Sequence, residues 1–259
     1  MSQFIEVSQQ GRVQRIALNR PDKHNALSSD LCRELVDSLN KANRNPHVGA
    51  IVLTGNGPSF SAGMDLKELG SISAETINNV HEQLFTFYMR MATPIVAAVN
   101  GAALGGGTGL VANCHIVVAT ESAKFAMSEI KLGLWPFLVF RALHAAIGER
   151  QALALALTGR TFDSKEAHRL GLVHEIAEDA NARAMEIADG LANSSPTAIH
   201  SGLDFVHEVR TKDWETAGTI ARRVRDELFQ SADFQEGVRA FKEKRQPKWP
   251  SIENLRGNQ

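Results

Sequence analysis

The chain has 259 residues, of which 43% are hydrophobic and 22% charged, with a formal net charge of −1. That length allows a large core in one or two domains, and the near-neutral charge carries no footprint for nucleic acid or an acidic membrane. Cys32 and Cys114 lack metal or disulfide spacing, no apolar run is long enough to span a bilayer, and the start has no secretory pattern. The expectation is a soluble, cytoplasmic protein with no metal site.

In chain order, Val13 to Leu18 reads as a strand ended by Asn19, Arg20, Pro21 and Asp22. Ser28 or Ser29 caps a helix with Leu31, Leu35, Leu39 and Ala42 on one stripe, stopped at Asn45-Pro46. Gly49 to Thr54 is a continuous apolar strand, followed by the loop Phe60 to Lys67 and a helix from about Ala74 to Met91. Ile95 to Val99 is a buried strand, and His115 to Ala119 and Ala123 to Met127 are shorter ones. Helical pattern runs from Ala142 to Leu157 around Gly148, and Asp163 with Glu166 has capping-box spacing for a short helix ending at Gly171. Leu172 to Ile176 is a strand, and Ala180 to Leu191 is helical. Ser195 then caps a helix with Pro196 at its first position, and helical pattern continues to Arg245 before a loose tail. Strands alternate with helices to residue 176 and helices dominate afterwards, which predicts an α/β core over 1–195 and a helical assembly region over 196–259.

The stretch from Pro94 to Gly109 organises the rest. After the strand come Gly101, Gly105, Gly106, Gly107 and Gly109, then a helix pattern resuming at Leu110. A strand, a glycine turn and a helix start aim free backbone N–H groups at one small volume, which suits an anion or a developing oxyanion. The alternative is a tight turn that only packs. The loop Phe60 to Asp65 has the same character, so an N–H from each loop would cradle a carbonyl oxygen wherever the fold joins them. Glu129, between two apolar pieces, is a desolvated acid/base, a carboxylate tied up by a partner, or a solvated turn residue. His81-Glu82 lacks the second histidine of a zinc helix, since Phe85 stands there. Gly107-x-Gly109-x-x-Ala112 also fits a dinucleotide turn, against which stand its mid-chain position and the poor strand pattern around it.

Three blocks, Phe60 to Glu68, Val99 to Gly107 and Ala123 to Gly133, together resemble the enoyl-CoA hydratase/isomerase (crotonase) superfamily. Asn19 to Leu27, Leu157 to Arg160, Ala167 to Val173 and Phe241 to Pro247 fall in the family's order, so the resemblance covers nearly the whole chain. It implies a spiral of ββα units with a C-terminal helical trimerisation region, assembled as a homotrimer or a dimer of trimers. It also implies an acyl-CoA thioester substrate, with coenzyme A entering as part of that substrate and no separate cofactor. By position, Met64 and Gly106 would hold the thioester oxygen, and Lys23, Ala26, Ala62, Asp65, Leu66 and Lys67 would line the CoA channel. The family's hydratases carry two glutamates, one at the place of Glu129 and one where this chain has Gly109. A lone Glu129 suits a one-base proton shuttle, so the resemblance favours enoyl-CoA double-bond isomerisation. Hydration with an atypical second group, and a non-catalytic CoA-ester binder, are the alternatives. Trp135, Phe137, His81, Phe85 and Tyr88 are further candidates for the acyl pocket.

Overall fold

The computed structural model describes residues 4–256. Strands β1 (Ile5–Gln10) and β2 (Val13–Leu18) form an antiparallel hairpin, and α1 (Ser29–Arg44) follows. The Ser28 hydroxyl caps α1 by accepting the Leu31 N–H at 3.3 Å. Leu31, Leu35, Leu39 and Ala42, spaced by turns of the helix, are all buried in the core.

Three times the chain then lays one strand in a large sheet, the next in a small sheet, and turns into a helix. The first unit is β3 (Ala50–Gly55), β4 (Ser59–Ser61) and α2 (Ala74–Phe85). The second is β5 (Ile95–Val99), β6 (Ala102–Leu104) and α3 (Gly106–Ala112). The third is β7 (Ile116–Ala119), β8 (Lys124–Ala126) and α4 (Phe137–Ile147), with α5 (Glu149–Thr158) added. The chain continues through β9 (Thr161–Asp163), α6 (Ser164–Leu170), β10 (Glu175–Ile176) and α7 (Ala180–Ala192). The large sheet has the order β1-β2-β3-β5-β7-β10 and the small one β4-β6-β8-β9. From β2 to β10 the large sheet is parallel. This is the spiral of ββα units expected from the resemblance.

Parallel strands buried on both faces explain the unbroken apolar runs. In β3, Ile51 and Leu53 face the main core while Ala50 and Val52 face α7. The α7 side of that layer is a row of Ala180, Ala184, Ala188 and Ala192, small enough for the helix to lie close against the sheet. A methyl on Gly49 would sit 2.8 Å from the Ala192 Cα.

Helices α8 (Pro196–Val209), α9 (Trp214–Phe229), α10 (Ala232–Glu243) and α11 (Pro250–Arg256) form the C-terminal region. No residue of α8 or α9 is buried within the single chain, and Trp214 and Phe241 are 94% and 85% exposed. The region is nevertheless knotted to the core at its root. The buried Asp233 accepts Ser195 Oγ at 2.6 Å and Ser251 Oγ at 2.7 Å, and Trp249 Nε1 donates to the Asn193 carbonyl at 2.8 Å. Among the described residues no helix is long and apolar enough to cross a membrane.

Several element boundaries differ from the sequence reading. β1 was not anticipated because five of its six residues are exposed at a sheet edge. β6 lies hidden between the glycines, and α3 starts at Gly106 rather than at Leu110. α2 stops at Phe85, with a short 3-10 turn to Arg90, and α4 begins at Phe137 rather than Ala142. The strand at 172–176 shrinks to two residues, and the tail expected to be loose is helical from Pro250 to Arg256, its last three residues lying outside the described ones.

Candidate active site

Met64 owes its orientation to its neighbours. Leu27 N–H donates to the Gly63 carbonyl at 2.8 Å, and Asp65 N–H donates to the Leu27 carbonyl at 3.2 Å. In such a parallel bridge the residue between the two bonded neighbours turns its own N–H to the opposite side. Gly106 opens α3, whose first intrahelical bond runs from Gly109 N to the Gly105 carbonyl at 3.1 Å, so the Gly106 N–H precedes any helical partner. Neither Met64 N–H nor Gly106 N–H donates a hydrogen bond among the described residues.

The two loops meet at Gly63. It has φ of +85°, which a side chain would strain, and a methyl there would lie 2.6 Å from the Leu104 carbonyl oxygen and 3.3 Å from Gly106 N. The contact that spacing alone left open is therefore present. Thr108 fixes the third part. Its buried hydroxyl lies 2.7 Å from the Ala103 carbonyl and 2.9 Å from the Ala126 carbonyl, locking the first turn of α3 onto β8. Three residues beyond Ala126 comes Glu129, at the start of a 3-10 turn.

Met64, Gly106 and Glu129 line one cavity of about 360 Å³ between α2 and α4. Its other walls come from Leu27, from α2 through Phe85, and from the run Leu134 to Val139. Glu129 Oε2 is buried without a hydrogen-bond partner, and Oε1 lies 3.3 Å from where a methyl on Gly105 would stand. Burial pushes the Glu129 carboxyl above the ordinary range, against a smaller opposing hydrogen bond from its own backbone. That is the solvation expected of an acid/base group rather than of a solvated turn. His81 is buried in the same wall, its ring edge-on to Phe85 at 5.9 Å, and burial lowers its pKa so that it stays neutral.

The place of Gly109 is closed. A Cβ there would fall 2.3 Å from Val139 Cγ1, 2.6 Å from Val139 Cβ and 3.2 Å from the Phe85 ring. Apolar side chains occupy the volume into which a longer residue would project.

Lys23, Ala26, Ala62, Asp65, Leu66 and Lys67 lie on two segments stitched together beside this cavity, and none of the six is on its wall. Ala62 N–H donates to the His24 carbonyl at 2.9 Å and Ser61 Oγ to the Asn25 carbonyl at 2.8 Å. Asp65 caps the turn at Leu66 and is paired with Arg20 at 2.9 Å, and the same guanidinium donates to the Ala26 carbonyl. The side chain of Asp65 thus holds the two segments together, while Leu66 and Lys67 are exposed. Sequence reading did not single out Leu27, Ile77, Asn78, Glu82 or Val139. The α2 residues among them could have been found as one helical stripe with His81 and Phe85.

A second cavity, of about 330 Å³, lies at the far end of α3 under α8, with Asn113, Cys114, His115, His174, His207, Tyr88 and Arg210 on its wall. Burial pushes the Cys114 thiol up to about 12, which removes it as a nucleophile. No cluster that could hold a metal ion occurs among the described residues.

Comparison with known proteins agrees with this geometry. The sequence profile of the enoyl-CoA hydratase/isomerase family matches residues 8–252. The chain is 35% identical over 243 residues to mevalonyl-coenzyme A hydratase of Aspergillus fumigatus, covering 90% of each protein. It is 33% identical over 251 residues to 2,3-dehydroadipyl-CoA hydratase of Escherichia coli, covering 95% of this chain and 98% of that protein. The crystal structure of enoyl-CoA hydratase from Bacillus anthracis superposes with a TM-score of 0.90 at 32% identity, covering 96% of this chain and all of that one. The chain belongs to the enoyl-CoA hydratase/isomerase family and is an acyl-CoA enzyme.

Proposed function

We propose that the enzyme shifts the double bond of an enoyl-CoA, with Met64 and Gly106 N–H groups holding the thioester oxygen and Glu129 carrying the proton. The Glu129 carboxylate takes a proton from the α-carbon of a 3-enoyl-CoA. The C–H electron pair passes into the conjugated system, and the resulting charge on the thioester oxygen is met by the two N–H donors. Glu129 then returns the proton at the γ-carbon, leaving the 2-enoyl-CoA. The carrying observation is the closure of the Gly109 position by Val139 and Phe85, beside a Glu129 whose Oε2 is buried without a partner. Lys23, Ala26, Ala62, Asp65, Leu66 and Lys67 form the rim along which the CoA moiety lies.

Hydration is the second reading, favoured by the names of the relatives, and it needs another group to handle the water. A paired assay with 2-enoyl- and 3-enoyl-CoA separates the two. Migration without hydration is expected, and Glu129→Gln should lower it by about 10²–10⁴-fold while CoA-ester binding persists. Hydration as fast as migration would overturn the isomerase reading, and an undiminished Glu129→Gln variant would overturn the role of the glutamate.

The exposed apolar side chains Trp214 and Phe241 support a further reading, that the C-terminal helices join copies of this chain into a homotrimer or a dimer of trimers. Light scattering should return three or six times the chain mass of 28.2 kDa; a monomer at micromolar concentration would end it.

A further inference from the structure

The wall that α2 lends to the catalytic cavity is one stripe, Ile77, Asn78, His81, Glu82 and Phe85, recurring at steps of three and four residues. Phe85 stands level with the start of α3, since methyls on Gly106 and Gly109 would lie 3.1 and 3.2 Å from its ring. At about 1.5 Å of rise per residue, His81 and Glu82 are roughly one turn from that level and Asn78 about two. The opposite wall, Leu134 to Val139, carries no charged side chain. Phe137 on it is 73% exposed, so an acyl tail leaving the cavity still runs along apolar surface.

The charges on this wall have one sign. Among the described residues, Glu82 and Glu129 are the only charged ones lining the cavity, with no lysine or arginine beside them. His81 is kept neutral by burial and supplies no cation. The Glu82 carboxylate is exposed at the mouth of the cavity, and no ion pair is formed by it among the described residues, so solvent alone screens its field. An acyl chain ending in a carboxylate would bring a second negative charge to this stripe and find no cation to receive it. Like charges a few ångströms apart repel by about 1 kcal/mol even in water, enough to discriminate several-fold.

We propose that Glu82 is the specificity-determining residue that makes this enzyme reject acyl chains ending in a carboxylate and admit uncharged chains of the same length. The inference rests on the acyl-CoA reading of the cavity and names the substrate class within it.

The test compares pairs of enoyl-CoA esters of equal length, one ending in a methyl and the other in a carboxylate, on wild type, Glu82→Gln and Glu82→Lys. The readout is the ratio of kcat/KM for the two esters. Wild type should favour the methyl ester, and Glu82→Gln should narrow the ratio by about 3–5-fold. Glu82→Lys should narrow it further or invert it, and raising the ionic strength should shrink the wild-type preference. A wild type indifferent to the terminal carboxylate, or a ratio unchanged in both variants, overturns the proposal. So does an equal loss of turnover on both esters in Glu82→Gln, which would move Glu82 into the chemistry. Calorimetric affinities for the matching saturated esters are measured in parallel. A protein that binds both esters and turns over neither would refute the isomerase reading, while the ratio of affinities would still decide the role of Glu82.

Discussion

The cavity at the first turn of α3 and the one at its last residues differ little in volume, about 360 against 330 Å³, and both hold histidine and aromatic side chains. They differ in what their backbone has left over. At the first turn, Gly106 N–H precedes the helix's hydrogen bonds and Met64 N–H is turned away from its bridge partner, so two donors stand free. At the last residues the donors are bound locally, while two acceptor-capable atoms, Asn113 Oδ1 and His115 Nε2, are buried without a partner. Asn113 N–H donates to the Gly109 and Leu110 carbonyls, Asn113 Nδ2 to Gly109, and Cys114 Sγ to Leu110. His115 Nδ1 accepts Ile95 N–H and His174 Nδ1 accepts Val117 N–H, both at 3.0 Å, so one nitrogen of each imidazole holds a strand end. Volume, residue type and unpartnered side-chain atoms therefore do not separate the two cavities. Free backbone N–H donors do, and a helix start supplies them where a capped helix end cannot.

The hardest blow to this contrast falls on Gly63. Ala at this position must adopt φ near +85° and meet the Leu104 carbonyl oxygen, so the bridge that aims Met64 N–H has to shift. Turnover should fall by about 10²-fold, the loss typical of a displaced oxyanion donor. Circular dichroism and calorimetry with a saturated CoA ester guard against a trivial cause. Folded protein that still binds the ester and has lost kcat supports the cradle. Folded protein with kcat within twofold of wild type would mean that the site does not depend on the geometry of this loop.

The spiral core was legible because its signals are local. Leu31, Leu35, Leu39 and Ala42 share a stripe that any sequence reading finds, and the run Ala50 to Leu53 can only be a strand buried on both faces. The caps at Ser28, Asp163 and Ser195 were equally plain, because each is a side chain bonded to the N–H three residues on. What stayed hidden depends on distance in sequence. That Val139 fills the space over Gly109 involves residues thirty apart, joined only once α4 packs on α3. β6 was masked by its flanking glycines, whose turn signal outweighs three residues of strand. The meeting of the loops at Gly63 and Gly106 likewise required the small sheet, where β4 and β6 pair in parallel. Resemblance to the family supplied the expected roles for Met64, Gly106 and Glu129, and backbone geometry supplied the reason the N–H groups of the first two are free.

A smaller effect is expected at the other end of the helix, and it should appear in stability rather than in rate. Burial, with a lesser contribution from nearby His207, lowers the pKa of His115 to about 4, while the unfolded chain titrates near the ordinary 6.5. Between those values the unfolded state binds a proton that the native state refuses, so stability declines as pH falls from 6.5 toward 4 and levels off below. His115→Gln cannot charge and should flatten this decline. At pH 7.5 the variant should lose about 1–2 kcal/mol, because the Ile95 N–H keeps at best a poorer partner. Thermal midpoints of both proteins between pH 7.5 and 5 measure the difference in slope, which cancels the other histidines common to both. Turnover per folded molecule should stay within about twofold, since removing this imidazole leaves the free N–H groups at the start of α3 untouched. If His115→Gln instead lost activity at unchanged stability, the cavity under α8 would be coupled to the chemistry and the contrast between the two ends of α3 would fail.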